Sequence, residues 1–204
     1  DASRDPLLAA VKVSIAGNIM DFAANSDYDI KESIDRVLHE DFTINDYAKF
    51  KNDIISAKTI AYFADNCGEI VFDRLLIEKI KTLNSKCTIH FFVKAGPIIN
   101  DATREDAKSA GLDSLERVKV KTLEKDFLET REYKDPADYL KHIDISISKG
   151  QGNYERLSGI NANIYFLLIA KCSVIARDLN TGTMKSIVKC NKSATLSGNR
   201  AGGG

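Results

Sequence analysis

The stretch Ile60–Leu76, I-A-Y-F-A-D-N-C-G-E-I-V-F-D-R-L-L, constrains the fold of this chain more than any other. Its first half, with Thr59 to Ala64 apolar and without alternation, is the pattern of a strand covered by helices on both faces. The second half starts near Gly68 and is amphipathic. Ile70, Leu75, Ile77 and Ile80 are set to face a sheet, and Glu69, Asp73, Glu78 and Lys79 supply polar faces. Between the halves, Asp65 and Asn66 fall at the carboxyl end of the strand, where open α/β sheets bind their ligands. A carboxylate next to an amide oxygen suits a hard divalent cation. Gly68 lets a ligand approach the backbone, and the following helix start offers N–H groups to an anion. The alternative at this point is a plain turn in which Asp65 and Asn66 only cap the helix.

The chain has 204 residues, 44% of them hydrophobic, enough for a full core in one domain. Its 29 basic residues balance 29 acidic ones, which leaves no electrostatic footprint for nucleic acid. No apolar run reaches membrane-spanning length and no signal peptide opens the chain, so a cytoplasmic protein with no membrane partner is expected. The chain begins at Asp1 rather than Met, as a processed form or a fragment would. Cys67, Cys87, Cys172 and Cys190 lack zinc-site spacing and are expected as free thiols.

Asp5-Pro6 opens a first helix, in which Leu7, Leu8, Val11, Ile15, Ile19 and Phe22 recur at helical spacing. Gly17-Asn18 interrupts that pattern and is followed by Asp21. A glycine there points to close packing or a nearby ligand. Asn18 and Asp21 share a face, either as a polar stripe or as a pocket wall, with Asn18 able to donate its amide to a phosphate oxygen. Helices over 30–38 and 42–55 follow, with His39 at the surface. Later strands are expected at Thr88–Lys94 with His90 in the core, in V-K-V-K-T before Leu123, at Ile143–Ser148, at Ile164–Ala170 and, at an edge, Met184–Lys189. The charged stretch 124–141 reads as helical turns. The loop Ala95–Thr103 carries Asp101, which either caps the next helix or turns toward Asp65. The loop Ser148–Glu155 carries glycines that can wrap an anion and Lys149, a compact phosphate-binding charge.

Strands alternating with helices predict an α/β fold, a Rossmann-like three-layer arrangement with a largely parallel central sheet preceded by N-terminal helices. The expected boundaries are 1–56 for a helical segment packed on the core, 57–190 for the α/β metal-binding core and 191–204 for a disordered tail.

Three strand ends carry D-N-x-G-E (Asp65, Asn66, Gly68, Glu69), N-D-A-T (Asn100 to Thr103) and K-G-x-G-N-Y-E (Lys149 to Glu155). With the G-N-x-x-D of Gly17, Asn18 and Asp21, they resemble the metal-dependent phosphatases once catalogued as domain of unknown function 89, now described as damage-control phosphatases. The likeness runs from about Asp5 to Lys189. G-N-Y-E is similar to the mostly prokaryotic branch with G-N-F-E, Tyr154 standing for Phe, and departs from the G-M-G-R of the pantothenate-kinase-linked branch. The resemblance implies a divalent ion (manganese, magnesium, cobalt or nickel) held by Asp65, Asn66 and Asp101, and a phosphate contacted by Lys149. It implies hydrolysis of small phosphorylated metabolites by water, with Asp65, Asp101 and Lys149 as catalytic residues, to which the helix face of Asn18 adds Asp21. Asp21 would hold a water, the Lys149 ammonium or a substrate hydroxyl. The expected substrate contacts are Asn18, Gly68, Lys149, Gly150, Gln151, Gly152, Asn153 and Glu155. Cys67 stands where a haloacid-dehalogenase phosphatase needs its second Asp, which argues against an aspartyl-phosphate route. Family members usually carry a further helical segment before the point where this chain starts. Two other readings share the crevice: a non-catalytic phosphometabolite-binding protein and an S-adenosylmethionine-dependent carboxyl methyltransferase. The latter expects a glycine-rich turn where Asp65-Asn66-Cys67-Gly68 stands. Assembly as a homo-oligomer stays open.

Overall fold

The computed structural model of the chain describes residues 5–19, 30–96, 99–123 and 136–192. Helix α1 (Pro6–Gly17) starts as expected: the Asp5 carboxylate accepts from the Leu7 and Leu8 N–H groups at 3.2 and 3.3 Å. Proline at the first helical position sacrifices no hydrogen bond there. Lys12, although buried on α1, donates from Nζ to the Leu38 and Glu40 carbonyls at 2.9 and 2.7 Å. It thereby satisfies carbonyls at the end of α2 (Ile30–His39), which have no partner inside their own helix.

The single helix expected over 42–55 is two elements, a short strand β1 (Ile44–Asn45) and helix α3 (Tyr47–Ser56). The Thr43 and Asp46 N–H groups donate to the Ser186 and Val188 carbonyls at 2.9 and 2.8 Å, which draws this stretch into the sheet. The N-terminal segment therefore supplies a strand as well as helices. There follow β2 (Thr59–Phe63), a 3-10 turn (Cys67–Glu69), α4 (Ile70–Leu83), β3 (Thr88–Val93) and α5 (Arg104–Ser109). A second 3-10 turn (Leu112–Ser114) leads to β4 (Val118–Thr122), α6 (Pro136–Lys141) and β5 (Ile145–Lys149). The chain then forms α7 (Gly150–Leu157), β6 (Ile164–Ile169), α8 (Ser173–Asp178) and β7 (Ser186–Cys190). Positions 124–135 and the tail from 193 lie outside the described residues.

The strands form a seven-stranded sheet in the order β1-β7-β6-β5-β2-β3-β4. Every neighbouring pair is parallel except β6 and β7. Residues on each central strand alternate between two cores, as a period of two requires. Ile60 and Tyr62 pack with α1 and α4 on one side, and Ala61 and Phe63 pack with Tyr139 and Tyr154 on the other. The result is a mixed α/β fold in three layers.

Helix α4 presents a different face from the one its apolar spacing suggests. Ile70, Leu76, Ile77 and Ile80 are buried, but Leu75 is 45% exposed, and Glu69 and Asp73, expected on polar faces, are fully buried. Gly17 sits where α1 crosses α4. A Cβ added there would lie 2.6 Å from Phe72 Cδ2, so close packing is the reason for this glycine. From β2 the chain moves to β3 and β4 on one side, whereas β5 leads to β6 on the other. Their boundary is a topological switch point, and open α/β sheets bind ligands in the crevice outside the carboxyl ends of the strands there, here β2 and β5.

Candidate active site

Three strand ends converge on that crevice. Asn66 and Asp101 form an isolated antiparallel bridge, reinforced by Cys67 N–H donating to Asn100 O at 2.8 Å and Ala102 N–H donating to Asp65 O at 2.9 Å. Residues paired in this way have Cα atoms about 5 Å apart, so the loop after β3 is stitched to the turn after β2. Asp101 is not a cap. Thr103 and Asp106 form a reciprocal capping box at the start of α5, so the cap is supplied by Thr103. Asn66 precedes the 3-10 turn, yet its side chain makes no cap, and the plain-turn alternative fails for it.

The third strand end closes against Asp65. Gly150 adopts φ 73°, and a Cβ there would lie 1.8 Å from Asp65 Oδ2. The sequence suggested that this glycine wraps an anion; here the anion lying against it is the chain's own carboxylate.

Behind Asp65 lies a buried polar network. Asn66 Nδ2 donates to Asp65 Oδ2 at 3.2 Å and to Glu69 Oε1 at 2.8 Å. Asn18 Nδ2 donates to the same two acceptors, to Asp65 Oδ2 at 3.1 Å and to Glu69 Oε1. Lys149 is completely buried, and its ammonium donates to Glu69 Oε2 at 2.9 Å, Asp73 Oδ1 at 2.7 Å and the Ser14 carbonyl at 3.0 Å. Ser14 Oγ and the Tyr62 hydroxyl also donate to Asp73 Oδ1, at 2.9 and 2.6 Å. An ammonium has three N–H donors, and all three of Lys149 are used inside the protein. The Lys149 ammonium is thus engaged by protein acceptors. Asn18 likewise gives its amide nitrogen to carboxylates.

The glycine-rich turn is also more structural than its sequence suggested. Gln151 Oε1 accepts from the Lys171 and Cys172 N–H groups at 2.8 and 3.2 Å, holding the loop before α8. Asn153 Nδ2 donates to Ala64 O at 3.0 Å and Lys149 O at 2.9 Å, tying the ends of β2 and β5 together. Tyr154 is buried edge-on against Phe166, and its extra hydroxyl donates to Asp178 Oδ2. Gly68, Gly152 and Glu155 remain exposed. Asp21 lies outside the described residues.

Sequence reasoning missed Asp73, Ser14 and Tyr62, and it misplaced Glu69. Their signal was present as spacing: Asn66, Glu69 and Asp73 are three and four apart, so they share one face of the turn and helix. Burial, and then the negative charge of Glu69, push the Asp65 carboxyl up to about 7, against the pull of Lys149 and the Asn18 hydrogen bond. Burial alone would lower the Lys149 pKa. The attraction of Asp73 and Glu69 outweighs it and holds the ammonium above the ordinary lysine value.

Asp65, Glu69 and Asp73 set three carboxyl groups around the single ammonium of Lys149. Among the described residues Asp65 Oδ1 takes no hydrogen bond, and the Asn66 carbonyl oxygen points away from the acids that hold its nitrogen. Those two atoms, and the carboxylate that Asp101 carries on the bridged loop, are oxygens of the kind a hard divalent cation takes. No cluster of three or more His, Cys, Asp or Glu with metal-site geometry occurs among the described residues, so such a site would use the Asn66 amide.

Comparison with known proteins agrees with this architecture. A family model described as damage-control phosphatase ARMT1-like domain matches residues 1–187. A damage-control phosphatase of Pyrococcus horikoshii is 39% identical over 182 residues, 83% of this chain and 60% of that protein. A damage-control phosphatase of Archaeoglobus fulgidus is 36% identical over 200 residues, 90% of this chain and 66% of that protein. The crystal structure of a domain-of-unknown-function-89 family protein from Pyrococcus horikoshii matches with a TM-score of 0.76 and 35% identity, over 94% of this chain and 69% of that one. The chain thus spans 60% to 66% of the length of these curated relatives. With the model match running through nearly every described element, the chain belongs to the damage-control phosphatase ARMT1-like domain family.

Proposed function

We propose that this chain carries the site of a divalent-metal-dependent phosphomonoester hydrolase acting on small phosphorylated metabolites, with Asp65, Asn66 and Asp101 as the metal ligands. The reading is supported above all by the Asn66–Asp101 backbone bridge, which joins the loop carrying Asp101 to the turn carrying Asp65 and Asn66. The names of the relatives support the phosphatase activity. When bound, the ion would supply Lewis-acid polarisation of a phosphoryl oxygen and a more acidic water. The chain's own residues do the rest. Exposed Gly68 and exposed Gly152 offer uncovered backbone to a phosphate at the starts of two helical segments that flank the crevice. Asn18, Glu69 and Gly150 hold Asp65 and Asn66 in place, and Lys149 contributes positive charge from behind without touching the ligand. No side chain is required as a nucleophile, in keeping with Cys67 standing two positions after Asp65.

The test is phosphate release from an aryl phosphate, with and without manganese, magnesium, cobalt or nickel. Metal-dependent release is expected. It should fall in Asp65→Asn and Asp101→Asn by roughly a hundredfold or more, the scale of losing one charge-stabilising group. Release that ignores both substitutions would remove these residues from the mechanism. Binding of phosphorylated metabolites without any release would make the chain a binding protein.

A further inference from the structure

Glu69 joins the two halves of the site. Its Oε1 accepts from the amide nitrogens of Asn66, at 2.8 Å, and Asn18, while its Oε2 accepts from Lys149 at 2.9 Å. The side chain is fully buried, so no water can substitute for these partners. An asparagine amide has one donating end and one accepting end. With the Asn66 nitrogen held inward by Glu69 and Asp65, the carbonyl oxygen must face outward.

We propose that Glu69 is the positioning residue of this site. It sets the polarity of the Asn66 amide so that a carbonyl oxygen, not an NH2 group, faces the cation, and Lys149 holds Glu69 in that accepting role. The inference rests on the reading of Asp65, Asn66 and Asp101 as cation ligands and adds what fixes one of them. An NH2 group cannot coordinate a cation, so a flipped Asn66 removes a ligand and places a donor in its stead.

The chemistry of a glutamine at this position shows why charge matters here. Glutamine has the same length but one acceptor and one donor end. If its oxygen meets Lys149, its NH2 faces the Asn66 and Asn18 nitrogens, and these amides must turn over. If its oxygen meets the asparagines, its NH2 faces an ammonium. One contact is lost either way. Turning Asn18 over would set its oxygen against Asp65 Oδ2, to which its nitrogen donates at 3.1 Å. Turning Asn66 over would withdraw the ligand oxygen as well. Placing a carboxylate at position 66 resolves the conflict: one of its oxygens accepts from the new amide while the other still faces the cation.

The experiment is a calorimetric titration of Mn2+ into the wild type, Glu69→Gln, Asn66→Asp and the double variant, with thermal unfolding as a folding control. Glu69→Gln is expected to weaken Mn2+ binding by about 10–100-fold, the range for losing an outer partner of a metal ligand. The double variant should recover about tenfold or more of that loss and bind more tightly than Asn66→Asp alone, whose new carboxylate faces Glu69. Unchanged affinity in Glu69→Gln would overturn the proposal, as would a double variant no better than either single. If Glu69→Gln does not fold, the double variant decides: folding with Mn2+ binding supports the proposal, and failure to bind overturns it. A wild type that binds no Mn2+ would instead overturn the ligand assignment itself.

Discussion

At position 150 the backbone needs a left-handed conformation and the absent Cβ makes room for the Asp65 carboxylate. Alanine in that conformation costs about 1–2 kcal/mol, and its methyl would also displace Asp65. Gly150→Ala should therefore lose at least about 1–2 kcal/mol in urea unfolding and most of its Mn2+ affinity together. A variant that loses stability but binds Mn2+ normally would show that Asp65 does not need this close approach. At this scale the sequence revealed where chemistry sits but not what each group touches. Asp65, Asn66 and Gly150 were recognisable from residue type at strand ends. Glu69 and Asp73 were not, because an acid on an amphipathic helix reads as solvent-facing until its partner is known. That partner, Lys149, lies on another strand far along the chain. Lys149 itself was noticed for its charge, which serves as an internal counter-ion. Removing one member of such a buried set typically costs about 3–5 kcal/mol, because the remaining charges stay uncompensated.

Among the elements, α1 is the one whose position decides the site, since it carries Ser14 and delivers Asn18 to Asp65. Its approach to α4 depends on Gly17 against Phe72. Gly17→Ala improves helix propensity by about 1 kcal/mol. It also forces a methyl into the Phe72 ring, and overpacking typically costs about 1–3 kcal/mol. The expected net effect on urea unfolding is a loss of up to about 2 kcal/mol. A larger effect is expected on Mn2+ affinity, because the shift pushes Asn18 off Asp65. A gain in stability with unchanged affinity would show that α1 absorbs the methyl elsewhere. The helices of the long apolar runs were legible from periodicity, as was the Asp5-Pro6 start of α1. The strand β1 was not. Two residues are too few to show alternation, and its pairing is set by β7, far away in sequence.

Across the whole molecule, acid stability follows from His90, whose Nδ1 meets the Tyr139 hydroxyl at 2.6 Å. Burial, then the nearby charges of Lys121 and Lys119, lower its pKa from 6.5 to about 4. The unfolded chain binds this proton more readily, so the His90 contribution to stability is lost as pH falls from 6.5 toward 4. Asp65, raised to about 7, acts in the opposite direction over the same interval. Asp53 and Asp144, held below their ordinary value of 3.8, matter only at lower pH. His90→Gln should therefore tolerate acidification between pH 6.5 and about 4 better than the wild type, measured as melting temperature without metal. Equal pH slopes would mean that His90 is as easily protonated folded as unfolded. The α/β class and the parallel core could be read from alternating patterns. The strand order and the reversed β7 could not, because they depend on which strands meet in space.

The two margins of the sheet limit how this protein can meet its own copies. One margin is β1, only two residues long, and the other is β4, where Lys119 is exposed and Lys121 half-buried. A short strand offers too few unpaired groups for a neighbour to zip onto, and lysines on an edge repel a second sheet. Among the described residues, neither margin thus invites edge-to-edge pairing of copies, and crowding is not expected to template fibrils from these strands.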